Sequence, residues 1–495
     1  MTTLSNQRLE GLTCLEGRDL FGGFAAKTPH LADGQAKLDR KLVPSIEEAI
    51  RRVGLKDGMT ISFHHGFREG DKTINMVVDI IARLGFKDMT LASSSLLSCN
   101  SPLIEHIKSG VIRRIYTSGM RGKLAEAISN GLMDLPINIH SHGGRVALIQ
   151  SGEIAIDVAF LGVSACDPFG NANGTSGRSH CGSLGYAQVD AQFARNVVLL
   201  TEEVVAYPST PASIRQDQVD WIVKVDQVGD PSKISVGAAR ATTNPRELLI
   251  ARLSADVMEH GGFFEDGFSM QTGTGGSATA TARFLEHRMR LKGIKCAWAL
   301  GGITGGMVDL HKKGLIGTLL DTQSFDADAA ASLRSSPNHV EISTNVYANP
   351  FSKAAAVDRL DMVILSALEI DLDFNVNVLT GSDGVMRGAS GGHSDTAAGA
   401  NLSIVVAPLI RSRIPTVVRH VTTLVTPGET VGVLVTDHGI AVNPKRPEVA
   451  ERLKAAGLPV TSIEDLYKRA VALTGEPKPI EFLDKVVGIV RYRDG

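Results

Sequence analysis

The chain has 495 residues, 43% of them apolar and 21% charged, and 51 basic side chains nearly balance 53 acidic ones for a net charge of −2. That length exceeds what one ordinary core organises, so two or three domains are expected. The balance leaves no broad basic field for nucleic acid and no polybasic anchor for a membrane, and no apolar run approaches the roughly 18–20 residues that span a bilayer.

The first forty residues read as an N-terminal extension (1–40), charged throughout and without the apolar centre of a signal peptide. Cys14, Cys99, Cys166, Cys181 and Cys296 are scattered with no C-x-x-C spacing, which suggests neither a zinc knuckle nor a disulfide framework and fits a reducing cytoplasm. Ser45 followed by Glu48 is a capping-box candidate for a first helix. From Asp57 the chain reads as an Asp-Gly turn, a short strand, a Gly-bearing loop, an amphipathic helix, a turn and a second strand.

The first of these loops, Phe63 to Asp71, holds Arg68, which could clamp a carboxylate with two parallel hydrogen bonds or simply be solvated. His64 and His65 are adjacent, so their side chains diverge on an extended segment and pair poorly as metal ligands. His140 and His142 would share one face of a strand. Two histidines are a weak metal signal, and polar packing beside Gly143-Gly144-Arg145 is the preferred reading; no metal site is assigned. Val228 to Pro245 is rich in small and turn-forming residues, and a domain boundary is placed there, dividing 41–235 from 236–495. Asn244, with Pro245 and Glu247 after it, is the next helix start.

From Asp266 the pattern seen from Asp57 begins again. Five pairs, Gly110/Gly314, Asp157/Asp361, Asp167/Asp371, Asn171/Asn375 and Asn173/Asn377, share one offset of 204 residues. Chance similarity would not hold one spacing over such a length. The predicted fold is therefore α/β: two similar domains with mainly parallel sheets flanked by helices and a cleft between them.

Ligands in such sheets bind beyond the carboxyl ends of the strands. Gln271 to Gly276 lies between a strand and a helix, where backbone N–H groups could meet an anion, or where a tight turn is all that is needed. Ala299 to Gly306 carries four glycines within six residues, which reads as a wall approached closely by a ligand. Gly381 to Asp395 could wall an extended arm or form a surface loop. Glu369 and Asp371 end an apolar strand, where they could serve the site or bond to loop amides.

DGMTISFHHGFREGD, HSHGGRV, FGNANG, GFSMQTGTGG, LGGIT, SALEIDLDFNVNVLTGSDGV and RGASGGH, in that order, resemble the CoA-transferase superfamily and, much more closely, its citrate lyase alpha-chain family. The resemblance covers nearly the whole chain from about Arg40. It implies a transferase that exchanges acetyl for citryl on an acyl-carrier thioester, with no permanently bound cofactor. A CoA-like phosphopantetheine arm would be delivered by the acyl carrier (the gamma subunit), and a beta subunit would then cleave the citryl-carrier. Many CoA-transferases use a glutamate after the strand that here is Cys296 to Leu300. This chain has Gly301-Gly302-Ile303-Thr304 there, with no carboxylate, which disfavours a glutamyl intermediate unless the fold brings Glu341 or Glu369 into the site; direct mixed-anhydride exchange is the expected mechanism.

On this reading Gly301, Gly302 and Thr304 are the catalytic candidates. Thr272, Gly273, Thr274, Gly275, Gly276 and Arg68 are candidates for the oxyanion and substrate. Gly381, Gly391, Gly392, His393 and Glu369 are candidates for the carrier arm. The alternatives are an acetyl-CoA hydrolase, a transferase for another small acid, and a non-catalytic protein that binds citrate or CoA. The C-terminal VVGIVRYRDG reads as a strand followed by an Asp-Gly turn, a hairpin signal whose returning strand would be missing.

Overall fold

Both predicted helix starts form. Ser45 caps Ile46–Arg52, its hydroxyl accepting from the Glu48 N–H, and Asn244 caps Pro245–His260 in the same way from Arg246. Glu48 does not close the capping box; it accepts from Arg52 one turn on. These elements belong to a computed structural model that describes residues 41–234, 242–273 and 275–495. The extension 1–40, the boundary at 235/236 and Thr274 lie outside the described residues.

Lys41–Gly495 forms one compact unit built on two nine-stranded sheets. The first contains β1 (Leu42–Val43), β2 (Thr60–Phe63), β3 (Met89–Ser93), β4 (Ile112–Thr117), β5 (Ile137–Ile139), β6 (Val158–Val163), β7 (Asn196–Thr201) and β8 (Trp221–Lys224). Its strands run in the order β1-β8-β7-β6-β2-β3-β4-β5. The second contains β9 (Phe268–Thr272), β10 (Cys296–Ile303), β11 (Ile316–Ser324), β12 (His339–Glu341), β13 (Met362–Ser366), β14 (Leu402–Val406) and β15 (Val433–Thr436). Its order, β15-β14-β13-β9-β10-β11-β12, repeats the run β8-β7-β6-β2-β3-β4-β5 of the first strand for strand. It is extended beyond β15 by β16 (Gly439–Val442), the one antiparallel neighbour, and by β17 (Val460–Thr461).

Hydrogen bonds carry the duplication down to single atoms. The Asp57 carboxylate accepts from the Lys87 N–H and that of Asp266 from Lys295. Asp157 accepts from Thr60 and Asp361 from Ser269. Asp167 gathers the N–H groups of Phe169, Gly170 and Asn171, and Asp371 those of Asp373 and Asn375. The 204-residue offset is thus the footprint of one folding unit used twice.

The second sheet is apolar on both faces, as parallel sheets covered by helices are. Met362, Ile364 and Ile404 pack to one side, and Val363, Leu365 and Val405 to the other, with the period of two that a strand imposes. The C-terminal strand expected from the sequence forms. Strand β18 (Gly488–Val490) pairs parallel with β5 at the edge of the first sheet, so its partner comes from far upstream.

Candidate active site

The two halves meet along the loops that follow β2, β3, β9 and β10, and a cavity of about 580 Å³ lies between them. The segment Arg387–His393 closes one side. It is stitched to the first half by backbone bonds: Met120 N–H to Gly388 O (3.1 Å), Ser390 N–H to Ser118 O (2.8 Å) and His142 N–H to Gly391 O (2.8 Å). The surface-loop alternative for this segment therefore gives way to a wall.

The cavity is strongly cationic. Arg68, Arg121, Arg387 and Arg411 line it, against the single carboxylate of Glu69. Arg387 is paired with Asp383, whereas Arg68, Arg121 and Arg411 have no carboxylate at ion-pair distance among the described residues. Burial lowers the Arg68 guanidinium to about 10, which still leaves it charged at neutral pH. Arg68 has a left-handed backbone, φ 52°, uncommon for a residue with a side chain and found where surrounding structure enforces it.

Beside Arg68, the rings of His65, His142 and Tyr186 form a cluster, Tyr186 lying 4.7 Å and 4.8 Å from the two imidazoles by ring centroid. Burial, then repulsion from His142 and Arg68, pushes His65 well below the usual imidazole range; burial and Arg145 push His142 down to about 3. Both are neutral at physiological pH. His64 and His65 do diverge: His64 turns inward to Gly162 O (2.7 Å), and His65 faces the cavity with Nδ1 2.6 Å from Ser94 Oγ.

The shared strand face expected for His140 and His142 does not exist. Ser141 instead caps the helix His142–Gln150, its hydroxyl accepting from the Gly144 N–H, so His142 begins a helix while His140 stays in the core. Arg145 on this helix is fully buried and forms a two-pronged ion pair with Asp190 (2.5 and 2.9 Å), the polar packing that the sequence favoured. No group of three or more His, Cys, Asp or Glu suited to a metal occurs among the described residues.

Of the residues singled out in the sequence, Arg68, Thr272, Gly273, Gly301, Gly302, Gly391, Gly392 and His393 line the cavity. Thr274 lies outside the described residues. Gly275, Gly276, Thr304, Gly381 and Glu369 do not line it. Glu369 is held by the Asn377 amide, the Thr422 N–H and the Thr422 hydroxyl, so it serves the fold of its turn. Both His393 nitrogens are engaged: Nε2 donates to Ser366 O, and Nδ1 accepts from the Thr426 hydroxyl.

The glycine amides proposed as oxyanion donors are partly spent. The Gly273 N–H donates to Ile364 O (2.7 Å) and that of Gly305 to Asp326 (2.7 Å). Gly301 and Gly302 flank a β-bulge against β11, which re-aims the strand at the cavity wall. Gly301 has φ 98°, and a Cβ on Gly302 would fall 1.9 Å from the Phe325 ring, so an aromatic side chain fills the space that the missing side chain leaves.

Thr272 Oγ1, Ser118 Oγ and His142 Nδ1 belong to cavity-lining residues and have no hydrogen-bond partner among the described residues, although each atom is itself buried in the wall. Such groups are costly to bury unless a ligand completes them. Tyr186, Phe325, Tyr347, Gln323 and Arg121 also line the cavity and carried no sequence signal of their own, because each comes from a segment remote from the glycine loops.

The family model described as "Citrate lyase, alpha subunit (CitF)" matches residues 39–495. The chain is 67% identical over 475 residues to the citrate lyase alpha chain of Klebsiella pneumoniae, covering 96% of this chain and 94% of that one. A Streptococcus mutans chain described as the alpha subunit of citrate lyase, solved in complex with citrate, superposes with a TM-score of 0.91 at 53% identity, over 92% of this chain and 89% of that one. The alpha subunit of a malonate decarboxylase from Acinetobacter baumannii (TM-score 0.66, 15% identity, 90% of this chain and 98% of that one) shares the fold. The chain belongs to the citrate lyase alpha-subunit family.

Proposed function

We propose that the cavity exchanges acetyl for citryl on a carrier thioester by direct attack of citrate, as the transferase step of citrate lyase. A citrate carboxylate oxygen attacks the acetyl carbonyl carbon and the C–S bond breaks, giving an acetyl–citryl anhydride and a thiolate. The thiolate then attacks the citryl carbonyl, acetate leaves, and the citryl thioester is complete. No proton is consumed and no protein nucleophile is required.

The observation that carries this reading is the charge of the cavity. Three arginines free of carboxylates, facing one glutamate, suit a tricarboxylate substrate. Glu69 accepts from the Ser98 and Cys99 N–H groups, Glu341 accepts from the Leu184 N–H and the Ser213 hydroxyl, and Glu369 is enclosed in its turn, which supports exchange without an enzyme thioester. Cys166 and Cys181 are held near 12 by burial, far from a reactive thiolate. The Thr272 and Ser118 hydroxyls are buried in the wall, and rotation of either toward the cavity would supply a donor to a developing oxyanion, where one donor is typically worth about 3–4 kcal/mol. Neutral His142 could donate from Nδ1 in the same role. Walls contributed by both halves help to exclude water, which an anhydride intermediate requires.

The thioester would arrive on the phosphopantetheine arm of the gamma subunit, along the wall that includes Gly391 and Gly392, and the citryl product would pass to the beta subunit in the cytoplasm. No helix among the described residues is long and apolar enough to cross a membrane. The test is mass-spectrometric detection of citryl-CoA and acetate after mixing the chain with acetyl-CoA and citrate, followed by acetyl-loaded carrier. Both products in step are expected. Acetate alone would make the protein a hydrolase, and no product from either donor would make it a binding protein.

A further inference from the structure

Arg68 is held in an unusual manner for an arginine that faces a cavity. Its guanidinium carbon lies 4.4 Å from the centroid of the Phe325 ring, and among the described residues the guanidinium makes one hydrogen bond, a long one to Ser324 O (3.4 Å). A carboxylate neighbour would fix the guanidinium more tightly, but would occupy its N–H fork and neutralise it. An aromatic face attracts the cation through the ring quadrupole and leaves every N–H along the edge free.

The ring is fixed in turn. The Phe325 N–H donates to Ile303 O (2.8 Å), tying the residue to the end of β10. Its edge rests on the backbone of Gly302, where a Cβ would come within 1.9–2.0 Å of two ring carbons. Gly302, Phe325 and Arg68 thus form a three-layer stack that reaches from the second half of the molecule to the first.

We propose that Phe325 is a positioning residue for substrate recognition: seated on Gly302, its ring presents the Arg68 fork to a citrate carboxylate. This rests on the reading of the cavity as a citrate site. It gives Gly302 a reason of its own, since a side chain there displaces the ring.

The test measures citrate affinity by calorimetry together with transferase kinetics, for the full chain and for Phe325→Leu, Phe325→Tyr, Gly302→Ala, Arg68→Ala and the Arg68→Ala/Phe325→Leu double variant. Phe325→Leu is expected to raise the Kd and KM for citrate on the order of 10-fold while changing kcat and the KM for acetyl-CoA by no more than about 3-fold. Phe325→Tyr, which keeps the ring face, should restore affinity. Gly302→Ala, which moves the ring without altering it, should reproduce the loss. In the Arg68→Ala background Phe325→Leu should add nothing. An equal loss in both backgrounds, or an unchanged citrate Kd in folded Phe325→Leu and Gly302→Ala proteins, overturns the proposal. Wild-type protein that binds citrate but forms no citryl thioester would remove the transferase reading, while the Kd values would still test the stack.

Discussion

The loops that follow β2 and β9 occupy equivalent places in a duplicated scaffold, yet they supply opposite chemistry. After β2 come His65, Arg68 and Glu69, which line the cavity with ring, cation and carboxylate. At the end of β9 stand Thr272 and Gly273, which line it with a small side chain and bare backbone. In the turns at Asp167–Asn173 and Asp371–Asn377, by contrast, each aspartate accepts from the N–H two residues on and from both the N–H and the side-chain amide of the asparagine four residues on. Turns that hold the scaffold kept their residues, whereas the strand ends that face the cavity diverged.

The largest effect expected from breaking this arrangement lies beneath the first-half loops. Arg145 donates to Ala92 O near the end of β3 as well as to Asp190, and both charges are fully buried. Arg145→Met leaves Asp190 unpaired and should cost about 3–5 kcal/mol of stability, measured by urea unfolding. A cost below about 1 kcal/mol would mean that this support does not matter.

The next effect is a pH dependence in the Arg68 loop. Asp71 accepts from the Thr73 hydroxyl (2.6 Å) and the Ile74 N–H (3.2 Å), and burial pushes its carboxyl up from 3.8 to about 6. The folded protein therefore binds this proton more tightly than the unfolded chain does. Its contribution is fully present below about pH 4 and lost as pH rises through about 6. Relative to wild type, Asp71→Asn should gain about 2–3 kcal/mol between those limits. A stability difference independent of pH over that window would contradict the assignment.

The smallest effect sharpens the comparison of the two turns. Asn173 accepts from the Thr175 and Ser176 N–H groups, and Asn377 from those of Leu379 and Thr380. Asn377 also donates to buried Glu369. Asn173→Ala should cost about 1–2 kcal/mol, and Asn377→Ala about 1 kcal/mol more, because it strips a donor from a buried carboxylate. Equal costs would show that the Glu369 contact contributes nothing.

The repeated scaffold was legible because the turn residues that define it are local and recur at one spacing, as Asp167/Asp371 and Asn173/Asn377 do. The neighbourhood of the site was legible for the same reason, since glycine-rich strand ends mark where a parallel sheet binds ligands. The contacts inside it were not. Gly302 read as close approach by a ligand, but the approaching group is Phe325, which lies 23 positions away and is brought there by β11. Tyr186 joins His65 and His142 only through the packing of its helix, Gly185–Phe193. His142 was misread because Ser141 and Gly144 form a helix cap that a strand pattern conceals. Strand β18 could not be placed, since its edge position beside β5 is set by a contact across most of the chain.

The central claim is that citrate attacks the acetyl thioester directly, and it is tested most directly by following oxygen. The chain, in excess over acetyl-CoA, is mixed with citrate labelled with oxygen-18 in its carboxylates, and the acetate of the first turnover is weighed by mass spectrometry. Direct exchange predicts acetate carrying one labelled oxygen, the bridging atom of the anhydride, released together with citryl-CoA. Unlabelled acetate accompanied by citryl-CoA would mean that a protein carboxylate takes the acyl group first, and would contradict the account.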